Sequence, residues 1–315
     1  MGTAAAGACK AGRERYPNGS PSAQVRQKPS GSVWGTLIPV APTYREFAPA
    51  PALAPFVECF WSVTTATAEP AWLVLPDGCL DIVFWPQGGL RAVGAMTTAQ
   101  RASIPAGGAV VGVRFRPGMA RCFLRAPAGE LTDGWAPLDA LWGTHGRELC
   151  ERLGNADSAR ERMALLAGGL RSPEGGRDGV ARAVAAMVVA ADEADVDAFA
   201  RQASLSPRQL RRRSLEETGL TPKRLCRILR FRRAVAATAD GARRGWAHLA
   251  AQCGYYDQAH LIKDFREFSG YTPVEYAALA VFSNPAIAPA LYDGRYETDA
   301  RSDRGRDREV AAVLG

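Results

Sequence analysis

The sequence predicts an α+β multidomain protein, with a β-rich N-terminal domain followed by an all-α C-terminal domain in which one helical unit occurs twice around a connecting helix. Three observations carry this expectation. Short apolar runs broken by turn residues fill the first half, and helical periodicity fills the second. Within that second half a seventeen-residue segment returns, without gaps, at an offset of 51.

The 315 residues suit about two domains of ordinary size. With 47% hydrophobic and 23% charged residues, the composition excludes wholesale disorder, a fibrous repeat and a small disulfide scaffold. No stretch approaches the roughly 18 to 20 apolar residues of a membrane span, and the first residues lack a continuous signal-peptide core. Seven scattered cysteines without a CxxC pair read as free thiols in a reducing compartment, which places the protein in the cytoplasm. Three histidines with no ligand spacing argue against a metal site, and no fingerprint of a nucleotide cofactor or hydrolase is present. The expectation is therefore no metal, no cofactor and no enzyme.

Residues 1–43 are rich in Gly, Ala, Ser, Pro and Arg without periodicity and read as a disordered leader. Residues 44–170 read as the β-rich domain. FVECFWSV, WLVLPDGCLDIVFW, AVGAMTT and AVVGVRFRPG are strand text, Pro76-Asp77-Gly78 is turn chemistry, and Arg114 and Arg116 alternate with Val113 and Phe115. Leu149, Leu153, Leu165 and Leu166 mark closing helices. Residues 171–179 have linker composition, 180–282 are helical, and 283–315 read as a flexible tail. Trp61, Trp72, Trp85 and Phe115 are strand aromatics whose ordinary role is core; the alternative is a ligand pocket, with Arg114 or Arg116 holding an acidic effector. Cys79 and Cys122 read as small buried hydrophobes rather than reactive thiols.

The repeat aligns SPRQLRRRSLEETGLTP (206–222) with DQAHLIKDFREFSGYTP (257–273). Each copy opens on an N-cap, Ser206 or Asp257, and closes on a glycine suited to a left-handed C-cap, Gly219 or Gly270. Ser206, Pro207 and Gln209 form a capping-box signature. A short apolar helix and a tight turn precede each copy, which gives the helix-turn-helix plan twice. Period 3.6 puts Leu261, Phe265 and Phe268 on an inner face and leaves Gln258, Ala259, Ile262, Lys263 and Arg266 outside. In the first copy Leu210 marks the inner face, so Arg208, Arg211 and Arg212 point outward. Arg suits guanine, Gln suits adenine and small apolar groups suit the thymine methyl, so both outer faces hold base-reading chemistry. Between the copies Pro222 to Ala236 reads as one basic helix with Leu225, Ile228, Leu229 and Val235 buried. Tyr255 and Tyr256 read as plugs of the second turn, and His260 is within reach of a phosphate. Charge agrees: residues 199–282 hold 15 Lys and Arg against 7 Asp and Glu, while the rest of the chain is balanced.

At these residues the chain resembles the AraC/XylS family of bacterial transcription regulators, above all in LSPRQLRRRSLEETGLTPKRL and GYYDQAHLIKDFREFSGYTPVEY. The resemblance covers about 180–279. It implies a seven-helix DNA-binding domain with recognition helices near 207–217 and 258–268. It also implies base contacts from Arg208, Arg211, Arg212, Gln258, Ala259, Ile262 and Lys263. The family's first recognition helix carries a core Phe where this chain has Ser214, with Leu215 or Leu229 as candidates to fill the space. LPDGCLDIVFW, VGVRFRPGMARCFL and ELTDGWAPLDALWG look like the N-terminal region of one AraC-type subgroup, which implies a sensor of barrel or cupin-like form. The resulting expectation is a sequence-specific regulator of double-stranded promoter DNA, modulated by an unidentified small molecule. RNA polymerase and a second copy of the chain are its candidate protein partners, and a membrane is not among its partners. The alternative is a DNA-repair or alkyl-sensing protein that uses a reactive cysteine with the same DNA-binding module.

Overall fold

The computed structural model describes residues 14–15, 43–66, 69–170, 173, 184, 187 and 196–283. Most of the expected leader, linker and tail lies outside these residues. The first half is β-rich as expected: β1 (Glu14–Arg15), β2 (Thr43–Phe47), β3 (Val57–Thr64), β4 (Glu69–Val74), β5 (Leu80–Trp85), β6 (Gly89–Val93), β7 (Gln100–Ile104), β8 (Ala109–Phe115) and β9 (Gly134–Pro137). Seven strands form one antiparallel sheet in the order β1-β9-β6-β5-β8-β3-β2, while β4 and β7 make a separate ribbon. The edge strands β1 and β2 do not pair, so the expected barrel is not closed.

Alternation assigns the sheet's two faces. Phe60, Ile82, Phe84, Val111, Val113 and Phe115 face the main core, where Phe115 is fully buried. Cys59, Trp61, Val63, Val83 and Val110 point the other way and are covered by Ile104 and Trp72 from the ribbon. With both faces covered, β3 is buried from Val57 to Val63. Gly112 on β8 is required by this packing, because a Cβ there would lie 2.4 Å from the Trp61 indole ring. Helices α1 (Arg121–Leu124), α2 (Leu138–Trp142), α3 (Thr144–Asn155) and α4 (Ala159–Gly169) close the domain, with Leu149, Leu153 and Leu166 buried in the core.

From Val196 to Ser283 seven helices are described: α5 (Val196–Gln202), α6 (Pro207–Thr218), α7 (Pro222–Ala236), α8 (Thr238–Arg244), α9 (Trp246–Gln252), α10 (Gln258–Ser269) and α11 (Pro273–Ser283). The sequence repeat has become a structural one, since α6 and α10 begin and end 51 residues apart.

The core does not stop between the halves. One buried cluster runs from Phe60, Phe84 and Phe123 to Leu225, Phe231, Phe265 and Phe268. Gly78 in the turn before β5 faces Leu225 and Leu229 of α7. Polar contacts reinforce the joint. Arg232 of α7 forms a buried ion pair with Glu58 of β3, and Arg224 Nη2 donates to the Thr97 carbonyl at 2.6 Å. Thr132 Oγ1 donates to Gly219 O at 2.8 Å, and Ala99 N donates to Phe268 O at 2.8 Å. The ends of both α6 and α10 are thus fastened to the N-terminal half.

Candidate nucleic-acid interface

Both helices of the sequence repeat form, and their caps explain why. The Ser206 hydroxyl accepts from Gln209 N, and the Gln209 side chain accepts from Ser206 N, completing the capping box with Pro207 at the first helical position. On α10 the Asp257 carboxylate accepts from His260 N at 2.7 Å. Gly219 and Gly270 close the helices at φ 73° and 83°, where a side chain would be strained. The turn from α5 to α6 is one residue shorter than that from α9 to α10.

The faces divide as period 3.6 requires. Leu210, Leu261, Phe265 and Phe268 are fully buried. Arg208, Arg211 and Arg212 on α6 are exposed, as are Gln258, Ala259, Lys263 and Arg266 on α10, while Ile262 is half-buried. Arg212 keeps one weak tie, 3.8 Å to Glu216 one turn on. Tyr255 is the plug the sequence suggested, buried with its ring 4.6 Å from the Arg230 guanidinium and edge-on to His260. Tyr256 is not: at 94% exposed it stands free beside the N-terminus of α10.

Neither leucine fills the space at Ser214. Leu215 is 36% exposed and Leu229 lies under Gly78 of the other half. Ser214 is instead fully buried and polar, with its hydroxyl donating to Leu220 O at 2.7 Å. Thr218 Oγ1 donates to Ser214 O at 2.7 Å. Two short hydroxyls thus bind the corner between α6 and α7.

The connecting helix spans the predicted Pro222–Ala236, about 22 Å at 1.5 Å per residue. Leu225, Ile228, Leu229 and Val235 are buried as expected. Arg224, Arg227 and Arg230, one turn apart, face α10. Arg224 and Arg227 hold Glu267, Arg227 Nη2 lies 2.6 Å from Asp264 Oδ1, and Arg230 lies 3.4 Å from Asp264 Oδ2. Hydrogen bonds from Arg227 and then Arg224 hold the Glu267 carboxyl down at about 2. This ladder fixes α10 against the connecting helix. Sequence reasoning counted these arginines only as net charge, although their three-residue spacing marks one helix face.

In the N-terminal half, Trp61, Trp72 and Trp85 gather in the cluster on the ribbon side of the sheet, joined by Tyr44 stacked on Trp61 at 6.2 Å. Arg114 lies at the edge of that cluster and is already engaged, 3.1 Å from Asp77, 3.4 Å from Asp81 and 3.7 Å from Glu46. Arg116 is elsewhere, donating through Nε to Ala54 O at 2.9 Å. The Trp61 indole donates to Asp81 at 3.1 Å. Burial pushes the Asp81 carboxyl up to about 6, with Arg114 opposing and Asp77 adding to the rise.

Cys59, Cys79, Cys226 and Cys253 are buried, while Cys122 and Cys150 are half-buried. Burial raises the thiols of Cys59 and Cys79 and brings that of Cys226 to about 11, so these three are thiols rather than thiolates at neutral pH. Among the described residues no group of three or more His, Cys, Asp or Glu could hold a metal ion, and no helix is long and apolar enough to cross a membrane.

Two family models match the chain. One, described as a domain of unknown function (DUF6597), matches residues 45–137, and the other, described as a helix-turn-helix domain, matches residues 199–278. No curated protein matches. Among solved structures, ToxT from Vibrio cholerae O395 is 10% identical with a TM-score of 0.37, covering 70% of this chain and 97% of that one. The same protein bound to (E)-4-(8-methylnaphthalen-1-yl)but-3-enoic acid gives 9% and 0.36, covering 70% and 98%. A further crystal form of Vibrio cholerae ToxT gives 10% and 0.35, covering 76% and 99%.

Proposed function

We propose that this chain, whose residues 199–278 are an AraC-type helix-turn-helix domain, is a sequence-specific transcription regulator that inserts α6 and α10 into successive major grooves of promoter DNA. The observation that carries the reading is the matched pair of helices. Both are capped alike, both bury an apolar face, and both expose arginine, lysine or glutamine on the other. Arg208, Arg211 and Arg212 on α6, with Gln258, Ala259, Ile262 and Lys263 on α10, are the proposed base-contacting set. A rigid connecting helix suits two helices that must reach sites about 34 Å apart.

Modulation is proposed to arise in the N-terminal half, at the cluster of Trp61, Trp72 and Trp85 beside Arg114. Arg114 is balanced by three carboxylates, so an aromatic molecule that is neutral or cationic suits this place better than an acid. A continuous set of contacts leads from there to the DNA-binding half. Trp61 meets Asp81, Asp81 and Asp77 meet Arg114, and the Asp77 carbonyl meets Arg232 Nη1 at 3.4 Å. The effect on DNA would be to alter how α6 and α10 are held relative to each other.

The test is DNA affinity on the natural promoter for Arg212→Ala and Lys263→Ala, each expected to cost about 1 to 3 kcal/mol and to relax preference at one base position. Unchanged affinity in both would sink the reading. The cysteine-based alternative is disfavoured at Cys59, Cys79 and Cys226 by their raised thiols, and mass mapping after alkylation of native protein at pH 7 would revive it by showing one cysteine reacting ahead of the rest.

A further inference from the structure

We propose that the groove between α7 and α10 is a seat for a phosphate group, and that the phosphate it takes belongs to the DNA backbone beside the second recognition helix; the second part rests on the regulator reading. The groove has a volume of about 420 Å³, within the range of sites that admit a small ligand. Lys223, Arg227 and Arg230 line it from the connecting helix, and His260 and Lys263 line it from α10. Against these cations the lining offers two carboxylates, Asp264 and Glu267, which are committed to the arginines. Both lysines are exposed; Lys263 belongs to the proposed base-contacting set, so Lys223 supplies the surplus positive charge at the rim.

A second observation points the same way. The first turn of α7 carries Lys223 and Arg224 and no acidic residue. Cations there oppose the positive end of the helix dipole, an arrangement that an anion would relieve. Arg224 is already committed to Glu267 and the Thr97 carbonyl, which leaves Lys223 to face it.

Geometry then selects the source of the phosphate. An α-helix with its side chains is about 10 to 12 Å across and fills a major groove about 12 Å wide, so both backbone walls lie against it. If α10 reads bases through Gln258, Ala259 and Lys263, the wall on its α7 flank falls into this groove. Contact there fixes the angle of α10 without reading sequence.

The experiment uses the full chain. DNA binding is measured across a salt series for wild type, Lys223→Gln and Lys223→Arg, on the footprinted promoter site and on a scrambled duplex. In parallel, inorganic phosphate is titrated and followed by ³¹P line broadening. Lys223→Gln is expected to lower the slope of log K against log salt by about 1 and to weaken both duplexes equally, while Lys223→Arg preserves both properties. An unchanged slope, with phosphate broadening lost in Lys223→Gln, would overturn the DNA assignment and make a free phosphate the occupant. No change in either measurement would overturn the seat altogether. If wild type binds no DNA, the regulator reading fails, and the phosphate titration alone decides the groove.

Discussion

Breaking the ion pair between Glu58 and Arg232 should loosen the joint between the two halves. The side chains are 11% and 6% exposed, so neither charge has water to fall back on. Removing one partner of such a pair leaves a buried, uncompensated charge, at a cost of about 3 to 5 kcal/mol. Arg232→Met leaves the Glu58 carboxylate buried beside the Cys79 thiol, 3.5 Å away, and belongs near the middle of that range. Glu58→Leu leaves Arg232 the Asp77 carbonyl at 3.4 Å, so its loss should sit near the lower end. The double variant Glu58→Leu/Arg232→Met removes both charges and should recover most of the loss, with a coupling of at least about 2 kcal/mol. Urea unfolding of the full chain, followed by tryptophan fluorescence and by limited proteolysis, measures all three. Single variants that each lose under about 0.5 kcal/mol, or a double variant no better than the sum of the singles, would refute the claim that this pair holds the halves together.

Other perturbations test other parts of the account. Because Asp81 titrates near 6 in the folded state, above its ordinary 3.8, the folded protein binds more protons than the unfolded chain between those values; stability should fall as pH rises from about 4 to 6. Asp81→Asn should flatten that window in denaturation curves, and an unchanged profile would count against a raised Asp81. Gly112→Ala should displace the Trp61 indole, lower Tm and shift tryptophan emission, since flexible movement cannot relieve a 2.4 Å approach to a ring. Ser206→Ala removes one half of the capping box and should cost about 1 kcal/mol, read by thermal unfolding. Ser214→Phe should destabilise the first unit by more than about 1 kcal/mol, because the site is full and its hydroxyl is bonded; a stabilised variant would show that room for an aromatic remains.

The C-terminal half was legible because its determinants are local. Caps, αL glycines and the periodicity of Leu261, Phe265 and Phe268 act within one or two turns, and the repeat supplied each reading twice. Strand text likewise announced a β-rich first half. Whether seven strands close into a barrel depends on how distant edges meet, and nothing local in β1 or β2 records that. Arg232 shows the same limit more sharply. In sequence it is one more cation in a basic helix, and only packing against Glu58, 174 residues away, makes it the buried charge at the joint. Arg114 looked available for an acidic ligand because its three carboxylate partners come from other strands or turns. Ser214 read as a missing aromatic, since the hydroxyl network that replaces the ring depends on the turn geometry at Leu220.

The most direct test of the central claim is a footprint of the full chain on DNA flanking its own gene, at about 150 mM salt with excess nonspecific competitor. Protection is expected over two adjacent major grooves on one face of the duplex, with Arg212→Ala weakening one segment and Lys263→Ala the other. Protection confined to a single groove, or smooth salt-labile coverage that neither substitution alters, would contradict it.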